Sequence, residues 1–322
     1  MNPESLPTLT IVIPVYNAEA TIGRLVRALL ADPPLPGTDI VLVNDGSRDR
    51  SHEICLECCE AFPGRVTYLR LARNFGEHNA VMAGLRQSGG DWVVVMDDDF
   101  QNPPEEIARL VGAARDGGFD AVYTAFREKR HGRLRNLGSA FNDKVATLLL
   151  DKPPRLYLSS FKCLSRFLVD RIVDYTGPAP YIDGLILRAT NNIGQVEVEH
   201  RDREAGQSGY TLWKLVRLWL TMFVNFSVAP LRVSAFLGLA MGTFGLLMAV
   251  WSLAEKVLGV SVPSGWTMLY ITVIIFVGVQ LVMLGLLGEY VGRSLMEINR
   301  TPQAVVREVH GDDGRPPREV RP

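Results

Sequence analysis

Trp92-Val93-Val94-Val95-Met96-Asp97-Asp98-Asp99-Phe100-Gln101 is a β-branched run that ends abruptly in carboxylates. Such a run reads as a buried parallel strand that delivers acidic groups to the carboxyl edge of a sheet, where open α/β proteins bind ligands. Continued extended backbone would point Asp97 and Asp99 one way and Asp98 the other. Three adjacent carboxylates repel one another, and an all-oxygen set of this kind suits Mg²⁺ or Mn²⁺. An acidic turn solvating a strand end would give the same triplet, so the neighbours decide.

Working back towards the N-terminus, Leu9–Asn17 reads as a strand closed by a Pro-bearing turn, followed by a helix over Glu19–Leu30. Asp39–Asn44 is a second strand, turned at Asp45-Gly46-Ser47 before a helix that opens at Asp49. A third strand at Val66–Leu69 leads through Arg73-Asn74-Phe75-Gly76 to a small-residue helix over Ala80–Leu85. This strand–turn–helix rhythm predicts a doubly wound, mostly parallel sheet whose polar turns converge on one crevice. Asp45, at a strand end, is placed to accept hydrogen bonds from a ribose or base edge, although Asp-Gly is also a common turn.

Beyond the acidic stretch, Asn102-Pro103-Pro104-Glu105-Glu106 has the prolines and acids of a helix N-terminus. The strand Asp120–Ala125 runs into a basic loop, Arg127–Arg135, suited either to a solvated helix start or to a lipid phosphate. A helix over Leu137–Leu150, a strand-like Tyr157–Leu164, a helix over Tyr181–Ala189 and an alternating strand Gly194–His200 follow. The arginine-bearing loop Arg201–Tyr210 resembles a lid able to close on a pyrophosphate.

The character then changes. Residues 211–230 read as a Trp-rich amphipathic helix for a membrane interface, and 231–290 as a transmembrane hairpin with uncharged spans at about 233–254 and 268–287, each reaching roughly 30 Å. Arg232, Arg293 and Arg300 outside the hairpin against Lys256 within it put both ends in the cytoplasm by the positive-inside rule. Gly238, Gly242 and Gly245 permit close helix packing, and Gln280 offers an interhelical hydrogen bond. The tail, 291–322, is cytoplasmic on this reading, with one strand-like piece at Ala304–Val309 before a segment predicted to be disordered. A formal net charge of −1 suggests no nucleic-acid partner, and the positive mean hydropathy agrees with a membrane part. No signal peptide precedes the first strand, so residues 1–210 are expected to stay in the cytoplasm. Cys55, Cys58 and Cys59 share a helix face; reduced thiols are the reading, since zinc would need a matched second pair.

Pro14-Val15-Tyr16-Asn17, Asn44-Asp45-Gly46-Ser47, Arg73-Asn74-Phe75-Gly76, Asp97–Pro104 and Leu286-Leu287-Gly288-Glu289-Tyr290 occur together and in order. With them the chain resembles membrane-anchored family 2 glycosyltransferases that charge a polyprenyl phosphate, a group spanning bactoprenol glucosyltransferases, dolichol-phosphate mannosyltransferases and undecaprenyl-phosphate formamido-arabinose transferases. The likeness covers nearly the whole chain, including the hairpin. It implies a GT-A fold, a nucleotide-sugar donor (uridine-linked by preference), a polyprenyl phosphate acceptor, a bilayer partner at the inner membrane and a homotetramer. It further implies that Pro14, Tyr16 and Asp45 hold the nucleotide with Glu19 near it, and that Asp97 and Asp99 with Gln101 meet the metal and diphosphate. The pattern H-x-x-R-x-x-G-x-S-x-Y falls on His200, Arg203, Gly206, Ser208 and Tyr210, putting Arg203 and Ser208 on phosphate oxygens; Arg127 and Arg130 match a pair at the acceptor phosphate.

Two departures stand out. Asp98 replaces the small residue found between the acids in many relatives. The Leu156–Lys162 segment lacks an Asp-Tyr-Gly or similar acidic signature, which points away from the arabinose branch and leaves Asp183 as the replacement carboxylate. The expected chemistry is attack by a lipid phosphate oxygen on the anomeric carbon, with positioning more important than a general base. The alternatives are transfer to another lipid or glycan acceptor, and a non-catalytic nucleotide-sugar-binding membrane subunit. A processive synthase would carry a Q-x-x-R-W helix, which is missing.

Overall fold

The computed structural model describes residues 7–126, 153, 156–198, 229–258 and 266–311. It divides into two compact units, Met1–Gly209 with Arg300–Pro322, and Tyr210–Asn299.

The first unit is built on an eight-stranded sheet. Its strands are β1 (Leu9–Val15), β2 (Asp39–Asn44), β3 (Val66–Leu71), β4 (Trp92–Val95), β5 (Ala121–Phe126), β6 (Lys162–Ser165), β7 (Ile193–Val198) and β8 (Val306–His310), in the order β7-β5-β6-β4-β1-β2-β3-β8. β1, β2, β3 and β4 run parallel, as do β5 and β7, while β6 is antiparallel to both β4 and β5. The sheet is therefore more mixed than the strand–helix rhythm predicts. The chain builds outwards from β1 through β2 to β3 and then returns to lay β4 on β1's other side. That reversal leaves the crevice at the carboxyl ends of β1 and β4.

Leu9, Ile11, Ile13 and Val15 alternate along β1 and are fully buried in one core with Ile22, Leu25, Val26 and Leu29 of α1 (Ile22–Ala31), Cys55 and Cys58 of α2 (Ser51–Ala61), and Ile107 and Leu110 of α4 (Glu106–Asp116). The four cysteines are buried free thiols, and burial pushes the Cys59 thiol up to about 12, so they pack as apolar side chains. On the opposite face α3 (Glu77–Gln87) lies so close that a Cβ at Gly84 would sit 2.4 Å from Val12 Cγ1. Glycine lets this helix approach, and so places its N-terminus at the crevice.

Local boundaries depart from the sequence reading in small ways. α3 is longer than predicted, beginning at Glu77, and the predicted Tyr157–Leu164 strand is confined to Lys162–Ser165. α5 (Arg166–Ile172) was not foreseen; Ser165 caps it by accepting from the Leu168 N–H at 3.3 Å. α6 (Ile182–Ala189) matches the predicted helix. The predicted helix at 137–150, the interfacial helix at 211–228 and the tail from 312 lie outside the described residues.

β8 gives the chain's end a structural role. It pairs antiparallel with β3, Arg70 forms a 3.1 Å ion pair with Glu308, and the His310 ring stacks on Tyr68. Before it, buried Gln303 accepts from Arg86 Nη2 at 2.7 Å and donates to the carbonyls of Tyr175 (2.8 Å) and Gly177 (2.7 Å).

The second unit contains α7 (Ala229–Val257) and α8 (Trp266–Ile298), about 44 and 50 Å long at about 1.5 Å per residue. Gly238 lies near Met283 and Gly245 near Phe276, so the helices pack antiparallel. Among the described residues one helical stretch, Ile275–Ile298, is long and apolar enough to cross a membrane, and Ser234–Met248 is a shorter apolar stretch. Gln280 is exposed on α8.

Gln303→Ala should lower the stability of the first unit by about 1–3 kcal/mol, because the buried Gly177 carbonyl loses its donor and the Arg86 guanidinium loses one acceptor while keeping the Tyr175 carbonyl at 3.1 Å. Glu308→Gln, at a half-exposed and screened pair, should change stability far less. Unfolding monitored by near-ultraviolet circular dichroism separates the two.

Candidate active site

The turns after β1 and β2 interlock through side-chain-to-backbone hydrogen bonds. Asn17, held at φ 53°, donates its N–H to Ser47 Oγ (3.0 Å) and accepts at Oδ1 from Arg48 N–H (2.9 Å). Glu19 repeats the exchange one step on: its N–H donates to Asp49 Oδ2 (3.0 Å), and its Oε2 accepts from Arg50 N–H (3.0 Å). Tyr16 extends an exposed ring at the rim, 48 % accessible, beside half-buried Pro14.

Asp45 ties this wall to the next turn. Its Oδ1 accepts from Phe75 N–H at 2.7 Å and its Oδ2 from Gly76 N–H at 2.9 Å. Burial raises its carboxyl above the ordinary range while these two N–H groups pull it back. The turns are in contact: a Cβ at Gly46, where φ is +70°, would lie 2.6 Å from Asn74 N. Glycine is therefore required there for both conformation and space.

β4 ends at Val95, so the alternation assumed for the three aspartates stops before reaching them. Phe100 has φ 59°, and the carboxylates go to three different partners. Asp97 Oδ2 accepts from Ser160 Oγ at 2.5 Å on the β6 side, and Asp98 Oδ2 from Tyr16 N–H at 3.4 Å on the β1 side. Asp99, buried, accepts from Gln101 N–H at 3.1 Å. Burial pushes the Asp98 carboxyl up to about 7, with repulsion from Asp97 and Asp99 adding to it. A divalent cation would relieve that crowding, so the donor set fits one. Among the described residues no three His, Cys, Asp or Glu side chains converge on one metal position, so such an ion would need ligand or water oxygens as well.

Beyond Asp97 lies a cluster that the sequence reading did not find. Lys162, opposite Val95 in the β4–β6 register, forms a buried ion pair with Asp183 on α6. Tyr123, fully buried on β5, donates its hydroxyl to the same Asp183 Oδ1 at 2.9 Å. Glu77 stands exposed at the start of α3; desolvation pushes its carboxyl up to about 7, with Asp97 and Asp183 adding repulsion and Lys162 opposing it. His78 meets Tyr181 edge to face at 5.1 Å between centroids. The available signal was a lone lysine in the apolar strand Phe161-Lys162-Cys163-Leu164.

The structure thus gathers Pro14, Tyr16, Glu19, Asp45, Asp97, Asp99, Gln101 and Asp183 along one sheet edge. Arg127, Arg130, Arg203 and Ser208 lie outside the described residues.

Comparison with known proteins agrees with this arrangement. The profile of glycosyl transferase family 2 matches residues 10–170. The undecaprenyl-phosphate 4-deoxy-4-formamido-L-arabinose transferase of Photorhabdus laumondii is 31% identical over 317 residues, covering 97% of both chains. The enzyme of the same name from Pseudomonas aeruginosa is 32% identical over 320 residues, covering 96% of this chain and 92% of that one. A crystal structure of glucosyl-3-phosphoglycerate synthase from Mycobacterium tuberculosis, in complex with Mn²⁺, UDP-glucose and phosphoglyceric acid, shares the GT-A-like fold. Its TM-score is 0.51 at 22% identity, covering 68% of this chain and 78% of that one. These relatives carry the arabinose-transferase name although this chain lacks the acidic signature expected of that branch.

His78 gives a pH test. Burial lowers it to about 4, whereas an unfolded histidine takes up its proton near pH 6.5. Between those values the unfolded chain binds more protons, so stability should fall as pH drops from about 6.5 towards 4. In unfolding titrations at pH 7 and pH 5, His78→Gln should lose about 1–2 kcal/mol less than the unmodified protein.

Proposed function

This chain belongs to glycosyl transferase family 2, and from that membership and the crevice we propose that it transfers a sugar from a nucleotide sugar, UDP-linked, to undecaprenyl or another polyprenyl phosphate. The product is a polyprenyl-phosphate-linked sugar for cell-envelope glycan or lipid modification. The observation that carries this reading is likeness along almost the whole chain to enzymes named for undecaprenyl phosphate. Shared fold alone would not specify the acceptor.

Tyr16, Pro14 and Asp45 form the nucleotide wall on this reading, with Glu19 fixing the turn behind them. Asp97 and Asp99, with Gln101, would hold Mg²⁺ or Mn²⁺, which when bound stabilises negative charge on the departing diphosphate. Arg203 and Ser208 supply further donors to that group. An oxygen of the acceptor phosphate bonds to the anomeric carbon as the bond to the nucleoside diphosphate breaks. A phosphate monoester is already anionic, so Arg127 and Arg130 orient the nucleophile rather than activate it. Asp183 takes the place of the absent acidic signature.

The second unit suits a bilayer. Phe236, Phe244, Trp251, Leu281 and Val282 are each more than 60 % exposed, an apolar surface that water disfavours. Both ends of this unit connect to the first unit, whose sheet includes β8 from beyond it. A segment that leaves and rejoins the same domain must cross a membrane an even number of times, which favours two spans at 233–254 and 268–287 over one. An interfacial helix at 211–230 would keep the crevice at the cytoplasmic face of the inner membrane, within reach of a lipid headgroup. Gly242, Gly278, Gly285 and Gly288 face open space, room that suits a homotetramer.

With undecaprenyl phosphate, Mg²⁺ or Mn²⁺ and labelled nucleotide sugars, the protein purified in detergent should form a labelled, acid-labile lipid. Asp99→Asn should reduce its rate about a hundredfold or more, and chelation of the metal should stop it. If nucleotide sugars bind but no label enters any prenyl phosphate, the acceptor assignment is wrong.

A further inference from the structure

We propose, resting on the reading above that Asp97 and Asp99 hold a divalent cation, that Ser160 is a positioning residue for that cation, acting through the Asp97 carboxylate. Its hydroxyl donates to Asp97 Oδ2 at 2.5 Å, the short end of the range for a hydroxyl on a carboxylate, where such bonds are charge-assisted and strong. The bond follows from the sheet. β6 runs antiparallel to β4 with Lys162 opposite Val95, and the same register carried two residues past that pair sets Ser160 against Asp97.

Ser160 is itself held from both sides. Before it, the buried Ser159 hydroxyl accepts from the Phe161 N–H at 3.1 Å and meets the hydroxyl of fully buried Thr124 on β5 at 2.8 Å. Thr124 also donates its N–H to the Phe161 carbonyl at 3.3 Å. After it, Lys162 is anchored by the buried ion pair with Asp183. Asp97, by contrast, stands past the end of β4, in a turn where Phe100 takes φ 59°. A donor on the well-anchored strand thus fixes a carboxylate on the irregular one.

A hydroxyl suits this task better than any charged side chain. A lysine or arginine there would neutralise the carboxylate and compete with the cation, whereas an acid would add a fourth negative charge to Asp97-Asp98-Asp99. Serine leaves the charge of Asp97 for the cation and supplies the outer hydrogen bond by which a ligating carboxylate is kept in orientation. The acid-free segment before β6 thereby has a function of its own.

Metal binding alone tests this, with no acceptor and no turnover. Loss of the free Mn²⁺ electron paramagnetic resonance signal, titrated with the full-length protein in detergent at fixed UDP against a protein-free control, gives the Mn²⁺ affinity. Calorimetry with UDP in excess chelator gives the nucleotide affinity without metal. Ser160→Ala should weaken Mn²⁺ binding about tenfold or more while the metal-free UDP affinity and the unfolding midpoint are kept. Ser160→Thr, which retains the hydroxyl, should stay within about threefold of the unmodified protein, and Asp97→Asn should weaken Mn²⁺ binding more than Ser160→Ala does. The proposal is overturned if Ser160→Ala binds Mn²⁺ as the unmodified protein does while Asp97→Asn does not, or if Ser160→Thr is as weak as Ser160→Ala. It is equally overturned if Ser160→Ala lowers the metal-free UDP affinity and the unfolding midpoint along with Mn²⁺ binding, which would make the serine purely structural. Mn²⁺ binding that is absent from the unmodified protein, or that survives Asp97→Asn, instead removes the metal reading itself and the role of Ser160 with it.

Discussion

Asp97, Asp98 and Asp99 follow directly on β4, a central strand of the sheet, and three successive carboxylates at that strand end are the constraint the surrounding turns must satisfy. Burial is the larger cause that raises the Asp98 and Glu77 carboxyls, and repulsion from neighbouring carboxylates adds to it. The protein answers it locally, with Lys162 against Asp183 and backbone N–H groups against Asp45, Asp98 and Asp99. A cation would answer the remainder. That electrostatic deficit is what a divalent cation beside Asp97 and Asp99 would relieve.

Rigidity around the site comes from turns that hold one another. Asp45 grips the Arg73–Gly76 turn, Asn17 and Glu19 grip the start of α2, and Asn44 Oδ1 accepts from Ser47 N–H while its amide donates to the Tyr68 hydroxyl at 3.0 Å. Tyr68 also meets His52 at 2.8 Å and carries the stacked ring of His310 from β8. The strand contributed from beyond the apolar helices therefore abuts the network that holds the turn after β2. Gln303 makes the same connection to the C-terminal end of α3 through Arg86. The chain's last strand is structural support for the catalytic unit rather than a loose extension.

Global likeness and local chemistry point differently on one matter. Relatives over nearly full length are named for an arabinose derivative, yet the segment before β6 carries Ser159-Ser160 with no acid, and Lys162 is paired with Asp183 across the crevice. Sugar choice depends on a few side chains lining a crevice, which overall identity does not resolve. Two enzymes can share the reaction and the lipid while reading different hydroxyl patterns.

Much of this was legible in the residues. Period-two apolar strands, turn dipeptides and helix starts determined the β1–β4 portion of the sheet, because each depends on local backbone preference and burial of one face. The polar turns at Asn17, Asp45 and Arg73–Gly76 and the acidic strand end were equally visible, since a polar turn following a parallel strand must lie at the sheet's carboxyl edge. What tertiary structure alone decided was which distant residues meet. The reversal of β6, the docking of β8 on β3, and the meeting of Lys162, Asp183, Tyr123 and Glu77 depend on strands separated by long stretches of chain. No local propensity encodes such pairings. They follow from the one arrangement that buries the apolar faces together while giving each buried charge a partner.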